Sequence, residues 1–458
     1  MRVLEKSANI FGKVVHRWRW WHAFVAVVAI TLLSWGGFWW VQSSALERRY
    51  AEMRAAGYLV TLEELNDYCA LPPGVEDNTD LWLKAIRLVT ATPRNVKLTT
   101  SLPIVGDGPE IPPVGQPWAE HDLVVTYLDD YAEALTALHD AADAGGGVRY
   151  PHDMRKGISL LLPEVQALRQ CARLLCLEAH VRAHNGDLSG AADSLRALLA
   201  VGKTLEREPI LVSFLVHIAV DAFAVEQTRR LLDTAEFADD DLRAIQADLR
   251  SVDYVADLHH AMVSEQAFGL NCYNDLTVFG FSPAVAHLSK FVAPGAKMRH
   301  LDLMAKAIAE TKKPWHEVFL SGSLTATTEL NTKNPFDRLV AQVMPTVYIY
   351  FVAGANQVAR TTSLDVAIAA ELYRREQGKL PGKLNDLVPR YLPAVPVDPF
   401  DGNPLRYIVQ GDDFVVYSVG EDLTDDGGDV DLGKANPPPD NGIRSGTTKP
   451  VTESPKVE

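Results

Sequence analysis

The sequence predicts a mainly α-helical protein with an N-terminal transmembrane helix, a helical extracytoplasmic region and a small C-terminal α+β domain. Three observations lead to this fold class. Residues 22–46 contain no Lys, Arg, Asp or Glu, residues 163–271 show helical spacing with few interruptions, and residues 363–433 combine a helical run with two β-like runs. A chain of 458 residues is long enough to hold several such parts and a sizeable core.

The N-terminal segment has the composition of a membrane anchor. The run from Ala23 to Val41 is strongly apolar, and Trp residues, which are enriched at membrane interfaces, lie at both of its ends. About 20 apolar residues span the hydrocarbon core of a bilayer. Five basic residues precede Ala23 and three lie within residues 48–54. The positive-inside rule therefore predicts an inner-membrane (cytoplasmic-membrane) protein with residues 1–21 in the cytoplasm, residues 22–42 in the membrane and the bulk outside.

A cleaved signal peptide is the alternative interpretation of this segment. Ser43 and Ala45 are small residues of the kind found at cleavage sites. The apolar run is longer than the roughly 7–15 residues of a signal-peptide core, and bulky Trp40 lies just before the cleavage position. An uncleaved anchor is therefore the preferred interpretation.

The charge of the chain is negative and unevenly distributed. The formal net charge is −15, which argues against a general nucleic-acid-binding protein. Residues 363–433 hold 14 Asp and Glu against 6 Lys and Arg. More than half of the excess negative charge thus lies in one short segment, which predicts a bound cation there.

The four cysteines form no metal-binding or redox motif. Cys69, Cys171, Cys176 and Cys272 include no Cys-x-x-Cys pair, and Cys171 and Cys176 fall on different faces of a helix. Buried free thiols are the favoured interpretation, although one disulfide could form in an oxidising compartment.

Residues 44–340 are predicted to be a helical extracytoplasmic region. Helical spacing predicts one helix over residues 44–67 and another over residues 122–144. Residues 176–209 resemble one tetratricopeptide-type hairpin, through a turn at Asn185-Gly186-Asp187. A solenoid needs about three such repeats, and no second copy occurs in register, so a generic helical hairpin is preferred.

Residues 339–359 carry no charge and could form a second membrane span. Pro345 and Asn356 argue against exposure to lipid, because polar groups inside a bilayer need partners. We expect instead one long helix from Thr346 to Gln377, partly buried in the protein. At 1.5 Å per residue it would measure about 48 Å.

A turn-rich pattern follows this helix. Gly378 is placed to end it, because helices often close on a left-handed residue. Residues 398–404 are dense in turn-forming residues, and two β-like runs follow at Leu405–Val409 and Phe414–Val419. This pattern predicts a small α+β domain.

Ordered motifs run through this C-terminal block. They are Gly378-Lys379-Leu380-Pro381, Pro396-Val397-Asp398-Pro399, Gly402-Asn403-Pro404-Leu405-Arg406-Tyr407 and Tyr417-Ser418-Val419-Gly420-Glu421-Asp422, with Gly427-Gly428 and Asp431 behind them. Together they resemble the C-terminal part of the type II secretion major pseudopilin family. The resemblance covers residues 363–433 and implies a long helix leading into a small α+β domain.

The N-terminus departs from that family. Pseudopilins open with a processing signal, a Gly followed by an aromatic residue or Met, with Glu at the fifth mature position. Here Gly12 is followed by Lys13, and the fifth position is Arg17. We therefore interpret the block as a pseudopilin-like domain carried by a different protein, with a part in a type II secretion or pilus-like machine as the alternative.

The acidic loop after the second β-like run is the candidate cation site. It contains Asp422, Asp425, Asp426, Asp429 and Asp431, and crowded carboxylates repel one another unless a positive charge neutralises them. Ca²⁺ accepts carboxylate and carbonyl oxygens in loose geometry, so calcium is the expected ion. The family resemblance implies that Asp422 and Asp431 are metal ligands. A solvated acidic loop without an ion is the alternative.

The motifs of known catalytic sites are incomplete. Gly202-Lys203-Thr204 lacks the first glycine of a phosphate-binding loop, and His316-Glu317 lacks the second histidine of a zinc-protease motif. His259 and His260 point about 100° apart on a helix, which favours a surface or packing role. The chain is therefore expected not to be an enzyme, with an envelope hydrolase of unrecognised site as the alternative.

The predicted protein is a membrane-anchored bacterial envelope scaffold with protein partners and a calcium-stabilised pseudopilin-like domain. The last residues are rich in Pro, Ser, Thr and charge, which is typical of disorder. The predicted parts, in chain order, are a basic tail (1–21), a transmembrane helix (22–42), a helical region (44–340), a long helix with the pseudopilin-like domain (341–433) and a disordered tail (434–458).

Overall fold

The structure is a computed structural model that describes residues 2–93, 96–290, 292–324, 330–331, 333–344, 346–430 and 440–446. Over these residues the chain is mainly helical, as predicted. It divides into two compact units. The first unit comprises residues 1–60, 269–302 and 330–344, and the second comprises residues 61–268, 303–329 and 345–458.

The described α-helices are, in chain order, α1 (Arg2–Ala55), α2 (Leu62–Tyr68), α3 (Thr79–Ala91), α4 (Val96–Ser101), α5 (His121–Asp129), α6 (Ala132–Ala144), α7 (Pro163–His184), α8 (Leu188–Lys203), α9 (Leu211–Leu232), α10 (Asp239–Arg250), α11 (Tyr254–Cys272), α12 (Pro283–Ser289), α13 (Ala293–Glu310), α14 (Trp315–Ser321), α15 (Pro335–Val343) and α16 (Val347–Gln377). Short 3-10 helices occur at Met154–Ser159, Leu276–Phe279 and Leu384–Leu387. The strands are β1 (Arg406–Gln410), β2 (Asp413–Ser418) and β3 (Asn441–Arg444).

In the first unit, α1 presents a long run of exposed apolar side chains. Every side chain from Phe24 to Val41 is exposed. The segment Phe24–Ala55 is long and apolar enough to cross a membrane. Leaving large apolar side chains in water costs roughly 1.5–3 kcal/mol each, and a bilayer removes this cost. The prediction of an N-terminal apolar helix is confirmed.

Two helices predicted as single are each divided in the structure. The helix predicted over residues 44–67 is interrupted after Ala55, and α2 begins behind a capping box made by Thr61 and Glu64. The helix predicted over residues 122–144 is interrupted at Asp130, between α5 and α6. Apolar spacing continues across both interruptions, so periodicity alone does not reveal them.

In the second unit the helices form two rows. The first row is α3, α7, α9 and α16, each packed against the next, and the second row is α6, α8 and α10. The rows are joined because α3 packs on α6, α7 on α8 and α10 on α16. The sequence indicated only one hairpin of this arrangement, because no repeated sequence marks the other helix pairs.

That predicted hairpin is formed by α7 and α8. Gly186 has φ +84 in the connecting turn, a backbone conformation that glycine adopts without strain. The Asp187 carboxylate accepts a hydrogen bond from Gly190 N–H at 3.0 Å and caps α8. The turn residues in the sequence therefore act as predicted.

The long helix predicted from Thr346 to Gln377 is present as α16. It has 31 residues and closes on Gly378, whose φ is +70. Its stripe of Leu364, Ile368 and Leu372 is buried. By length and composition, the stretches Phe336–Gln377 and Leu211–Leu232 could also span a membrane, with 35% and 61% of their most apolar windows buried in the protein.

The three strands form one antiparallel sheet in the order β1-β2-β3, and α16 packs against β2 and β3. Phe414, Val416 and Ile443 of the sheet belong to the same apolar core as Leu364 of α16. The α+β arrangement predicted for this part is therefore present in outline, and its core is continuous with that of the helical rows.

The predicted disorder of residues 434–458 is wrong for Asn441–Arg444, which form β3. This strand is short and has one buried apolar side chain, Ile443, so no alternating pattern marks it. Gly442 lets the chain approach β2 closely, because a Cβ there would lie 2.2 Å from the carbonyl oxygen of Val416. Residues 434–439 and 447–458 lie outside the described residues.

The cysteines match the favoured prediction. Cys69, Cys171, Cys176 and Cys272 are all buried and free. Burial raises the pKa of the Cys171 thiol to about 12, so this thiol stays neutral and packs as a small apolar group.

Candidate functional site

The predicted acidic loop follows β2 directly and lies at the surface. Asp422, Asp425 and Asp426 are exposed, Asp429 is half-buried, and Gly428 is buried. Asp431 lies outside the described residues. The structure thus brings four of the five predicted ligands into one loop.

The loop is organised around a carboxylate that the sequence analysis did not select, that of Asp440. This buried carboxylate accepts hydrogen bonds from the backbone N–H groups of Gly428 at 2.8 Å, Asp429 at 3.1 Å and Asp426 at 3.4 Å. Burial raises the pKa of Asp440, and the three amide hydrogen bonds oppose that rise. Successive amides that converge on one anion form a concave nest.

Several loop carboxylates already have partners. Asp425 accepts a hydrogen bond from the Tyr417 hydroxyl at 2.9 Å and one from Gly427 N–H at 3.0 Å. Asp422 accepts one from Thr424 N–H at 3.0 Å, which closes a local turn. Within the described part of the loop, the side chain of Asp426 has no hydrogen-bond partner.

Asp398 fixes the base of the loop. Its fully buried carboxylate accepts hydrogen bonds from the Ser418 hydroxyl at 2.7 Å, from Val419 N–H at 3.0 Å and from Arg406 at 2.8 Å. Arg406 also pairs with Asp401. Burial acts to raise the pKa of Asp401, but the hydrogen bonds from Arg406 and Asn403 outweigh it and lower that pKa to about 2.

The donor set of this loop consists of carboxylate and carbonyl oxygens, the ligands that Ca²⁺ prefers. Within the described ranges, no three His, Cys, Asp or Glu side chains are arranged to hold a metal ion. The described part of the loop therefore supplies oxygen donors of the right chemistry without a preassembled set. The other donor named by the family resemblance, Asp431, falls in the gap between residues 430 and 440.

The residues that the sequence analysis rejected as catalytic or metal-binding make hydrogen bonds within the protein. His259 hydrogen-bonds to the Thr311 hydroxyl at 2.6 Å. His260 bonds to the carbonyl oxygen of Arg207 at 3.0 Å and stacks on Tyr68. Burial lowers the pKa of His260 to about 4. Thr204 accepts a hydrogen bond from the Tyr150 hydroxyl at 3.0 Å at the end of α8.

A buried ion cluster in the second unit was missed by the sequence analysis. Nδ1 of His217 lies 2.8 Å from Asp257, and Nε2 lies 3.0 Å from Asp221. The Tyr254 hydroxyl donates to Asp221 at 2.6 Å. His217 and Asp221 are one helical turn apart on α9, and this spacing was the only sign of the cluster in the sequence. The other two residues, Tyr254 and Asp257, come from α11.

The electrostatics of this cluster are strongly perturbed. Burial alone would lower the pKa of His217, but the two carboxylates outweigh it and raise the pKa to about 10. Burial raises the pKa of Asp257 to about 6, against the opposing effect of His217. The cluster is almost completely buried and joins α9 to α11, and Tyr254 also lines a small cleft of about 200 Å³ beside α16.

Close to this cluster, a cleft of about 460 Å³ opens along α8. Its walls include Glu206, Lys203 and the Arg196–Asp248 ion pair, whose atoms lie 2.7 Å apart. Burial, reinforced by the charge of Asp257, raises the pKa of Glu206 to about 7. The lining mixes both signs of charge and contains no recognisable set of nucleophile and base.

Comparison with family models, with curated proteins and with solved structures found no match for this chain.

Proposed function

We propose that the chain is a single-pass, membrane-anchored scaffold of the bacterial envelope that holds protein partners outside the cytoplasm. The observation that carries this proposal is the uninterrupted exposure of apolar side chains from Phe24 to Val41. A helix with this surface is unsuited to water and matches a bilayer in length. The five basic residues before it orient the N-terminus toward the cytoplasm.

The two rows of helices support a scaffolding role. Layers of packed helices expose long helix faces, and solenoid proteins use surfaces of this kind to bind partners. The His217 cluster is almost completely buried, which favours an architectural role for it.

We further propose that the C-terminal part is a pseudopilin-like domain stabilised by calcium. The order of long helix, turn-rich segment, β-hairpin and acidic loop supports the family resemblance. Asp422 and Asp426 offer exposed carboxylates, and Asp431 would join them as a ligand. Bound calcium would offset the mutual repulsion of these carboxylates.

Membrane insertion and orientation test the anchor on which the proposed function depends. A reporter that is active only outside the cytoplasm is fused after Glu458, with and without deletion of residues 1–42. The intact fusion should be active and should stay in the membrane fraction after an alkaline wash, whereas the deletion should be inactive and soluble. An inactive intact fusion would mean that a further segment, such as residues 339–359, also crosses the membrane, and the proposed orientation would be wrong.

A further inference from the structure

The register of the sheet determines which backbone groups of β1 point outward, away from β2. Gln410 and Asp413 flank the two-residue turn and bond to each other, so alternate residues of β1 bond to β2. Tyr407 and Val409 are the intervening residues, and their backbone N–H and C=O groups point away from β2. Phe414, which lies opposite Val409, shows the same alternation. Its backbone carbonyl oxygen accepts a hydrogen bond from the β3 side of the sheet and therefore points away from β1.

These outward groups have no protein partner within the described residues. Just before β1 begins, the outer side is covered, because Leu405 N–H donates to the carbonyl oxygen of Pro396 at 3.0 Å. No Pro or bulge interrupts β1, and the side chain of Val409 is 39% exposed. An open edge of this kind is a template for an added strand.

The charge around this edge indicates what kind of strand it favours. Residues 398–430 contain nine Asp and Glu and a single basic residue, Arg406. Arg406 is already paired with Asp398, at 2.8 Å, and with Asp401, and a second arginine, Arg444 of β3, donates to the side chain of Gln410 in β1 at 3.1 Å. The nine acidic residues outnumber these two arginines, so the surroundings of β1 are negative on balance and complement a positively charged segment.

The two faces of β1 differ. Arg406, Ile408 and Gln410 lie on the face of the sheet that carries Tyr417, whose hydroxyl bonds to Asp425 of the acidic loop. Tyr407 and Val409 lie on the opposite face, where the Tyr407 ring packs 5.6 Å from the ring of Phe414. A strand added to β1 would alternate its side chains between an acidic face and an apolar face.

We propose that β1 accepts an extended segment of a partner protein as a fourth strand, and that this segment alternates basic and apolar residues. Its backbone bonds to Tyr407 and Val409, its basic side chains lie on the face of the acidic loop, and its apolar side chains lie beside Val409. This partner class rests on the scaffolding role proposed above and specifies the chemistry of one docking edge.

The test uses the full chain in a non-ionic detergent and a synthetic eight-residue peptide of alternating Lys and Val. Hydrogen exchange followed by mass spectrometry should show slower exchange of residues 405–411 when the peptide is present. A Glu–Val peptide should give no protection. A Lys–Val peptide that is N-methylated at every residue keeps its charge but has no backbone N–H group to donate at the edge, so it should bind at least tenfold more weakly.

Substitutions at Val409 separate edge pairing from simple charge attraction. Val409→Pro removes the outward N–H and should weaken binding of the Lys–Val peptide at least tenfold, whereas Val409→Thr keeps the N–H and should stay within about threefold of the parent. Unchanged thermal unfolding of both variants would show that they fold. Equal binding by the Pro variant, equal binding of the N-methylated peptide, or no protection of residues 405–411 would each overturn the proposal.

Failure of this test is distinguishable from failure of the proposed function. If the reporter fusion is active and membrane-bound while the peptide does not protect β1, only the docking edge is wrong. If the chain is not anchored in the membrane, the scaffold role fails whatever the peptide does.

Discussion

His217 lies between two buried carboxylates, with Nδ1 2.8 Å from Asp257 and Nε2 3.0 Å from Asp221. The imidazole is fully buried, and its cationic form is favoured because both ring nitrogens face a negative charge. The pair with Asp257 connects α9 to α11, and the pair with Asp221 lies within α9. Removing one member of this buried cluster is expected to cost more stability than removing one partner of an ion pair at the surface.

Replacing His217 with Gln should destabilise the protein strongly. Gln is neutral, so Asp221 and Asp257 would remain buried beside each other without a cation. Removing one partner of a buried ion pair costs about 3–5 kcal/mol. Urea unfolding at pH 7 measures this change, and His287→Gln, at an exposed position, should change stability by less than about 0.5 kcal/mol. A loss below about 1 kcal/mol at His217 would contradict the ionic connection.

Glu206 should make stability fall as the pH rises toward neutrality. Its pKa is raised from 4.5 to about 7 in the folded protein. A carboxyl group with a raised pKa favours folding while it is protonated, and this contribution is lost between pH 4.5 and about 7. Glu206→Gln keeps the neutral form, so it should stabilise the protein by about 1–3 kcal/mol at pH 8 and have little effect at pH 4.

The control for this pH dependence is Glu133→Gln, at an exposed position of α6. Its effect on unfolding should be small and nearly equal at both pH values. Parallel pH profiles for the parent chain and the Glu206 variant would show that the buried carboxyl does not titrate as expected.

Gly202 should not tolerate a side chain. A Cβ at this position would lie 2.1 Å from Oδ1 of Asp221 and 3.2 Å from the ring of His217. Gly202→Ala therefore forces α8 away from α9 and should cost about 2–4 kcal/mol in the free energy of unfolding. Ala200→Gly on the same helix should cost only about 1 kcal/mol. If the Gly202 variant is as stable as the parent, the close approach of α8 to Asp221 is wrong.

Calcium should slow hydrogen exchange in the acidic loop of the full chain. Half-maximal protection of residues 420–430 is expected near ~10⁻⁴–10⁻³ M calcium, the range of extracellular modules, and magnesium should protect less because it demands octahedral geometry. Asp422→Ala and Asp431→Ala should each abolish the protection. Asp412→Ala, in the β1–β2 turn, is the matched control and should retain it.

The same exchange experiment can contradict the calcium proposal. Identical exchange with calcium and with chelator would leave the loop as a solvated acidic surface. Equal protection in the Asp412 variant and in the Asp422 variant would show that any bound ion lies elsewhere.

The sequence was most informative where one chemical pattern decides the structure locally. The charge-free run before Val41 indicates an apolar helix, Asn185-Gly186-Asp187 indicates a turn, and Gly378 indicates the end of α16. Each of these signals acts through neighbouring residues, by apolar surface or by a preferred φ. They were therefore readable without knowledge of the fold.

The remaining features depend on residues far apart in the chain. Asp257 meets His217 across 40 positions, and Asp440 meets the amide of Gly428 only because β3 pairs with β2. The stack of helices has no repeated sequence to mark it. Long-range pairing of this kind leaves no periodicity in either partner, so it became visible only in the structure.

The order in which the protein is synthesised affects how the loop around the Asp440 carboxylate can form. Synthesis runs from the N-terminus, so the amides of Asp426, Gly428 and Asp429 emerge before the anion that they surround. Until residue 440 has emerged, those amides can bond only to water or to transient partners. A premature stop codon anywhere in residues 431–439 would therefore yield a chain with α16 and the β1–β2 hairpin complete, but with an acidic loop that lacks the group around which it folds.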